Sequence, residues 1–264
     1  MTAAASDLAA AAPIRWERRG HILLITIDRP GVRNAFNREM ALAMNAALDE
    51  ADADPEIFLV IITGAGGVFS AGADLKAAAA SGGSGALTER GHFGICARPP
   101  AKPVIAAIEG YALGGGFEIV LACDLIVAAE NAEMGLPEVK RNLAPMGGGL
   151  FRLARRIPYH LAMEVTLTGA RYPARFFHDL GLVNRLAPPG CALEAALGLA
   201  EELLQNGPTA LAAAAVILRE SLDWTAEEAW ARQRPLAARA LRSEDRAEGV
   251  RAFLERRPPN WTGR

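Results

Sequence analysis

Two hydrophobic periods alternate along this chain, and the place where one of them stops divides it. Ile14–Arg19 and His21–Asp28 alternate or run apolar on either side of Gly20, which predicts a β-hairpin. Asn37 then stands as an N-cap before a helix over Arg38–Asp52, where Met40, Met44, Ala47 and Leu48 share one face. Ile57–Thr63, Val104–Ile108 and Leu125–Ala128 are short apolar runs rich in β-branched residues, and they predict buried strands. Phe117–Cys123 is an apolar helix start. Strands and helices alternate to about residue 185, which predicts α/β architecture.

From Ala192 the period is helical to the end. The predicted helices are Ala192–Asn206, Pro208–Ser221, Thr225–Arg242 and Ser243–Arg256, with Pro208 and Thr225 as start signals and Pro258-Pro259 as the stop. The chain thus divides into an N-terminal tail over residues 1–13, an α/β core over 14–191 and a helical C-terminal subdomain over 192–264. That last part is too thin to hold a large core alone, so it must pack on the α/β part or on a neighbouring subunit. Ser81-Gly82-Gly83-Ser84-Gly85 is a low-complexity linker inside the core, either part of a lid or a tolerated surface insertion.

Composition narrows the function without choosing it. Of 264 residues, 51% are hydrophobic and 22% charged, as in a soluble globular enzyme. A net charge of −2 leaves no basic footprint for nucleic acid or an anionic membrane. Cys96, Cys123 and Cys191 are widely spaced with no CxxC pair, which suits a reducing cytosol better than a disulfide scaffold. His21, His92, His160 and His178 show no ligand spacing, so no metal is expected. The alanine-rich start carries Asp7 and no basic region, unlike a signal peptide, and no apolar run has membrane-spanning length.

Chemistry concentrates at Gly114-Gly115-Gly116-Phe117-Glu118. A strand, a glycine turn and a helix start in that order leave free backbone N–H groups aimed at one point. Glu118 follows Gly115 by about one helical turn and shares its face. An anion-stabilising amide beside a carboxylate suits acid–base chemistry; a tight turn with a glutamate complementing the helix dipole is the plain alternative. A second glutamate, Glu138, follows Pro137 near Asn142–Gly149, where it can be catalytic or merely a turn residue. Phe69–Lys76 presents the small residues Ala71, Gly72 and Ala73, which allow close backbone approach by a ligand. Thr63–Gly67 imitates a dinucleotide fingerprint, but Phe69 stands where its third glycine belongs and no acidic residue follows at the required distance.

Together these segments resemble the enoyl-CoA hydratase/isomerase (crotonase) superfamily. The likeness runs through Ile22–Asp28, Arg33-Asn34-Ala35-Phe36-Asn37, Phe69–Leu75, Lys102–Asp124, Leu136–Gly149 and the tail Ser243-Glu244-Asp245 with Glu248-Gly249 and Ala252-Phe253. It implies a spiral of repeated ββα units ending in helices, assembled as a trimer or dimer of trimers in the cytoplasm. It implies an oxyanion hole from backbone N–H groups matching Ala71 and Gly115. Coenzyme A, part of the substrate and the only coenzyme implied, would lie against Ala73, Asp74 and Leu75, with Arg33 and Arg256 as basic positions. Glu118 and Glu138 match the two glutamates of hydratases, which implies reversible syn hydration of a trans-2-enoyl-CoA to a 3-hydroxyacyl-CoA. Simple isomerases typically use one glutamate, and a double-bond isomerase is the runner-up. Met146 and Asn142 stand where glycines are usual, so Met146 is expected to narrow the pocket, while Leu136 makes the acyl pocket less polar. A non-catalytic acyl-CoA-binding or RNA-binding member is disfavoured by both glutamates and by the absence of lysine from the Asn37–Asp52 helix.

Overall fold

The computed structural model describes residues 12–80 and 86–264. The linker Ser81–Gly85 and most of the N-terminal tail lie outside the described residues. Strands β1 (Ile14–Arg19) and β2 (Ile22–Ile27) form the predicted hairpin, with Arg19 opposite Ile22 and Gly20 at φ +58° in the two-residue turn. The remaining strands are β3 (Leu59–Gly64), β4 (Leu87–Thr88), β5 (Gly91–His92), β6 (Val104–Ile108), β7 (Tyr111–Leu113), β8 (Leu125–Ala129), β9 (Glu133–Gly135), β10 (Tyr172–Pro173) and β11 (Arg185–Ala187). One six-stranded sheet has the order β1-β2-β3-β6-β8-β11, parallel from β2 onward. A second, three-stranded sheet has the order β10-β9-β7, and β4 and β5 pair with each other.

The chain spirals because β2, β3, β6 and β8 are each followed by a short extended piece in the second layer and then by a helix. The helices of the first part are α1 (Arg38–Ala53), α2 (Leu75–Ala80), α3 (Gly115–Ala122), α4 (Gly149–Arg156), α5 (Tyr159–Thr168) and α6 (Ala174–Asp179). After β2 the second-layer piece is Phe36, and after β3 it is Ser70–Ala73; parallel bridges join Phe36 to Ala73 and Ser70 to Ala112. After β6 and β8 the pieces are β7 and β9, also parallel. Parallel strands need helical crossovers, and these bury both faces of the sheet. On one face Leu23, Ile25, Ile27, Val60 and Ile62 pack with Met40, Met44 and Leu48 of α1. Asn37 caps that helix as predicted, its side chain accepting from the Met40 N–H at 3.0 Å. The third strand begins two residues later than predicted: Ile57 is buried but its N–H closes a turn onto the Asp54 carbonyl.

The C-terminal helices are α7 (Ala192–Leu204), α8 (Pro208–Ser221), α9 (Ala226–Arg242) and α10 (Glu244–Glu255). Ala196, Leu199 and Ala200 of α7 cover the other sheet face over Ile22, Leu24, Leu59, Ile61 and Ile105. Helix α9 buries no residue, although Thr225 and Glu228 close a full capping box at its start.

One buried polar side chain fixes the entry to the second layer. Asn34 is fully buried in the left-handed region at φ 57°, which asparagine tolerates better than most residues. Its Oδ1 accepts from the Arg29 N–H at 2.8 Å, and its Nδ2 donates to the carbonyls of Ala65 at 2.9 Å and Val68 at 2.7 Å. Asn34→Ala strands all three backbone groups, each at about 1–3 kcal/mol. The variant is therefore expected to lose at least about 3 kcal/mol in urea denaturation, and a loss below about 1 kcal/mol would show that the loop does not depend on this residue.

Candidate active site

Accounting for backbone hydrogen bonds locates the free donors, since buried N–H groups are rarely left unpaired without a reason. Along the piece after β3, Phe69 donates to Glu109 O, Ser70 to Tyr111 O, Ala71 to Arg33 O at 3.0 Å and Asp74 to Phe36 O. The Gly72 N–H is taken by Ser70 Oγ at 3.1 Å. Ala73 is the exception: its N–H has no partner among the described residues. On the neighbouring turn, Leu113 donates to Ser70 O and Gly114 to Gly135 O. Gly115 opens helix α3, so its N–H is one of the orphan donors of a helix start. The two pieces touch, because a Cβ on Gly72 would lie 2.9 Å from the Gly115 nitrogen.

This corrects one expected site residue. The Ala71 N–H donates to the Arg33 carbonyl, so it is not free to hold an oxyanion. The amide that pairs with Gly115 in space belongs to Ala73.

Both glutamates converge on the same turn. Glu118 is 2% exposed, and its Oε1 accepts from the Gly149 N–H at 2.9 Å. Burial raises its pKa above the usual carboxylate range, while the N–H groups of Gly149 and Gly147 and the Arg152 charge oppose that rise. Glu138 is half-buried on the 3-10 turn Pro137–Arg141. A Cβ on Gly114 would stand 2.8 Å from Glu138 Oε1, and Glu138 Oε2 is buried without a hydrogen bond. Burial first, and the charge of Glu118 after it, push Glu138 up to about 7. The rise at Glu118 is thus opposed by the amides of two neighbouring glycines, whereas Glu138 has only its own backbone N–H and leaves Oε2 unpartnered.

The remaining candidates separate. Arg33 is exposed at the mouth of this region, on the loop whose carbonyl holds Ala71. Asp74 caps α2 by accepting from the Ala77 N–H at 3.1 Å and pairs with Arg29 at 3.0 Å, so its side chain is occupied and its pKa is lowered. Leu75 is half-exposed beside it. Arg256 makes no hydrogen bond or ion pair with these residues. It ends α10 in the left-handed region, and the segment after it folds back until Gly263 meets Pro55 and Phe58, just before β3 begins. Ala73 and Gly115 lie beyond the other ends of β3 and β6, and six strand residues alone span about 20 Å.

The expected crowding by Met146 is also absent. Its side chain is 70% exposed and its φ is not positive, so methionine costs nothing there. Asn142 does take the left-handed region, at φ 55°, and Leu136 is fully buried beside Glu118.

Three contributors carried no signal in the sequence reading. Phe93, at φ 59°, closes over the glycine turn so tightly that a Cβ on Gly115 would lie 2.3 Å from its ring. Cys96 and Arg152 stand behind Glu118, with the Arg152 guanidinium donating to the carbonyls of Gly147 and Cys96. Each is an ordinary core or helix residue by pattern, and only the fold brings them to the carboxyl. Among the described residues no group of three or more His, Cys, Asp or Glu is placed to hold a metal ion.

Known proteins share this architecture. The sequence profile of the enoyl-CoA hydratase/isomerase family matches residues 17–264. Enoyl-CoA hydratase EchA19 of Mycobacterium tuberculosis is 42% identical over 255 residues, covering 94% of this chain and 96% of that protein. The 2,3-dehydroadipyl-CoA hydratase of Escherichia coli is 39% identical over 249 residues, covering 94% and 97%. A crystal structure of an enoyl-CoA hydratase from Mycobacterium tuberculosis matches with a TM-score of 0.91 at 48% identity, covering 96% of this chain and 100% of that one. The chain belongs to the enoyl-CoA hydratase/isomerase family, and its fold is the crotonase spiral. A hydratase-type activity is supported by these relatives. No described helix is long and apolar enough to cross a membrane.

Proposed function

We propose that the protein catalyses the reversible syn hydration of a trans-2-enoyl-CoA to a 3-hydroxyacyl-CoA. The observation that carries this reading is the pair of unequal carboxyls, Glu118 and Glu138, packed on one glycine turn beside two partnerless amides. The N–H groups of Ala73 and Gly115 receive the thioester oxygen and strengthen their hold as it becomes an enolate. Glu118, whose carboxylate accepts from the Gly149 N–H, takes a proton from water as the water oxygen bonds to C3. The C2–C3 π pair moves to C2–C1, and the carbonyl pair moves onto oxygen. Glu138, which burial keeps protonated to about pH 7, returns a proton to C2. Both groups act from one side of the substrate, so the addition is syn. The coenzyme portion is proposed to lie along Ala73–Leu75 with Arg33 near its phosphates.

The acid form of Glu138 gives this reading a direction in pH. Hydration kcat/KM is expected to fall as pH rises through about 7, and dehydration of the 3-hydroxyacyl-CoA to rise through the same value. Glu138→Gln should remove that limb from whatever activity remains. A profile for wild-type hydration that is flat from about pH 6 to 8 would contradict the assignment of Glu138 as the acid.

The chain is further proposed to assemble as a trimer or dimer of trimers. Trp230 is 71% exposed, Phe253 82% and Leu254 74%, an apolar surface on the last two helices that a single chain leaves in water. Light scattering is expected to report three or six chains, and a stable monomer at micromolar concentration would count against assembly.

A further inference from the structure

Helix α4 opens on a run of glycines, and Arg152 holds that opening with both its backbone and its side chain. Its backbone N–H donates to the Gly148 carbonyl at 3.1 Å, the first bond of the helix. Its side chain curls back over the same turn: Nη1 donates to the Gly147 carbonyl at 3.0 Å, and Nη2 to the Cys96 carbonyl on a separate segment. Gly148, at φ 91°, leaves room for that path, because a Cβ there would run into Nη1 and into the Phe151 ring. The peptide between Gly148 and Gly149 is trans, so its carbonyl and its N–H point opposite ways. With the carbonyl held by Arg152, the N–H faces Glu118 and donates to Oε1 at 2.9 Å.

The groups that Arg152 ties together also wall the carboxyl. A Cβ on Gly147 would lie 2.9 Å from Glu118 Oε2 and 3.2 Å from Cys96 Sγ, and one on Gly149 would lie 3.0 Å from Glu118 Cγ. Arg152 is half-buried, the Phe151 ring stands 5.1 Å from its guanidinium, and no carboxylate among the described residues pairs with it. Withdrawing a guanidinium from water without a counter-ion is costly. Tying two loops needs donors but no charge, so the charge calls for its own account. The groups that face Glu118 are Arg152 from α4, Cys96 from the segment between β5 and β6, Glu138 from the 3-10 turn, and the N–H groups of Gly147 and Gly149. Burial keeps the Cys96 thiol neutral, and Glu138 adds negative charge when it ionises. Arg152 is the one cation in this set.

We propose that Arg152 positions Glu118 for its work as base, holding the glycine turn that grips the carboxylate and setting an uncancelled positive charge behind it. The proposal rests on the hydratase reading for that role of Glu118. Arg152 acts through the carboxyl rather than on the substrate. Its charge opposes the rise that burial imposes on the Glu118 pKa. Without it the carboxyl keeps its proton to a higher pH, and a base must be ionised to take a proton from water.

Two variants of the intact protein separate charge from tethering. Arg152→Gln keeps hydrogen-bond donors and loses the charge, whereas Arg152→Lys keeps the charge as a single point donor. In Arg152→Gln the acid limb of kcat/KM for hydration is expected to move up by about one pH unit, with kcat lowered and KM little changed. In Arg152→Lys the limb should stay near that of wild type. The Glu118 carboxyl can be titrated directly by carbon-13 NMR on protein labelled at the glutamate carboxyls, its signal identified by its absence from Glu118→Gln. That titration should show the same upward move in Arg152→Gln without any turnover. A limb and a carboxyl titration both unmoved in Arg152→Gln, in protein with normal circular dichroism, would leave Arg152 a structural tie and overturn the proposal. An equal move in Arg152→Lys, which keeps the charge, would overturn it as well. Absence of hydration in wild type, with the carboxyl titration moving as expected, would defeat the hydratase reading and leave the hold of Arg152 on Glu118 standing.

Discussion

Glu118→Gln and Glu138→Gln are each expected to lower hydration turnover by about 10²–10⁴, with KM for the enoyl-CoA little changed. Glutamine keeps the shape of either side chain and, at 118, an oxygen for the Gly149 N–H, so the fold is spared. The thioester stays bound because its partners are the amides of Ala73 and Gly115. The double variant should lose far less than the sum of the single losses, since groups that act as a unit in one reaction are non-additive. Thermal stability separates this account from the plain one. Both carboxyls have pKa values raised by burial, Glu138 from an ordinary 4.5 to about 7. Between those values the folded chain keeps a proton that the unfolded chain has lost, so stability falls as pH rises through the window. Glu138→Gln is therefore expected to raise Tm relative to wild type above pH 7, and the difference should vanish below about pH 4.5. A helix-end charge and a turn residue would instead give a lower Tm with near-normal turnover. That pair of results would defeat the mechanism.

Gly114→Ala is expected to cost as much activity without touching an acid or a base. Gly114 sits at φ 55° and ψ −124°, a backbone state that only glycine adopts readily. An added Cβ also meets Glu138 Oε1 at 2.8 Å. Relief of either strain moves the Gly115 N–H or the Glu138 carboxyl. Displacing one oxyanion donor alone costs about 10²–10³ in kcat. Gly20→Ala is the control: its φ is +58°, but nothing lies within 4 Å of the new Cβ. That variant should lose about 1 kcal/mol of stability and keep its turnover. Similar kinetic losses in both variants would mean that general destabilisation, not the turn, controls activity.

The parts legible in the sequence are those set by neighbours along the chain. The hairpin around Gly20, the cap at Asn37 and the helix start after Gly114 all depend on contacts a few residues apart. Glu118 stands out in the sequence as a carboxylate one turn into a helix that opens on glycines, whereas Glu138 is a turn residue by its neighbours and is singled out only by the family resemblance. The free amide beside that glycine turn was not legible. Whether residue 71 or 73 has a free N–H depends on where Arg33 O and Phe36 O arrive, and those carbonyls are almost forty positions away. Strands β7, β9 and β10 have two or three residues each, too few to show a period of two. Arg256 fits a basic motif by position, and it ends the last helix in the left-handed region without a side-chain bond to the residues of the glycine turn. Met146 was judged by its size, when its exposure decides its effect. Phe93 reaches Gly115, and Cys96 and Arg152 reach Glu118, only because turns of the spiral close on one another.

The most direct measurement is the mass of the product formed from a trans-2-enoyl-CoA in deuterated water. The account predicts loss of the conjugated thioester absorbance and a product heavier by one water. It also predicts one deuterium fixed at C2, on the same face as the new C3 hydroxyl. An enoyl-CoA product with no water added and its double bond moved would contradict hydration and establish the isomerase instead.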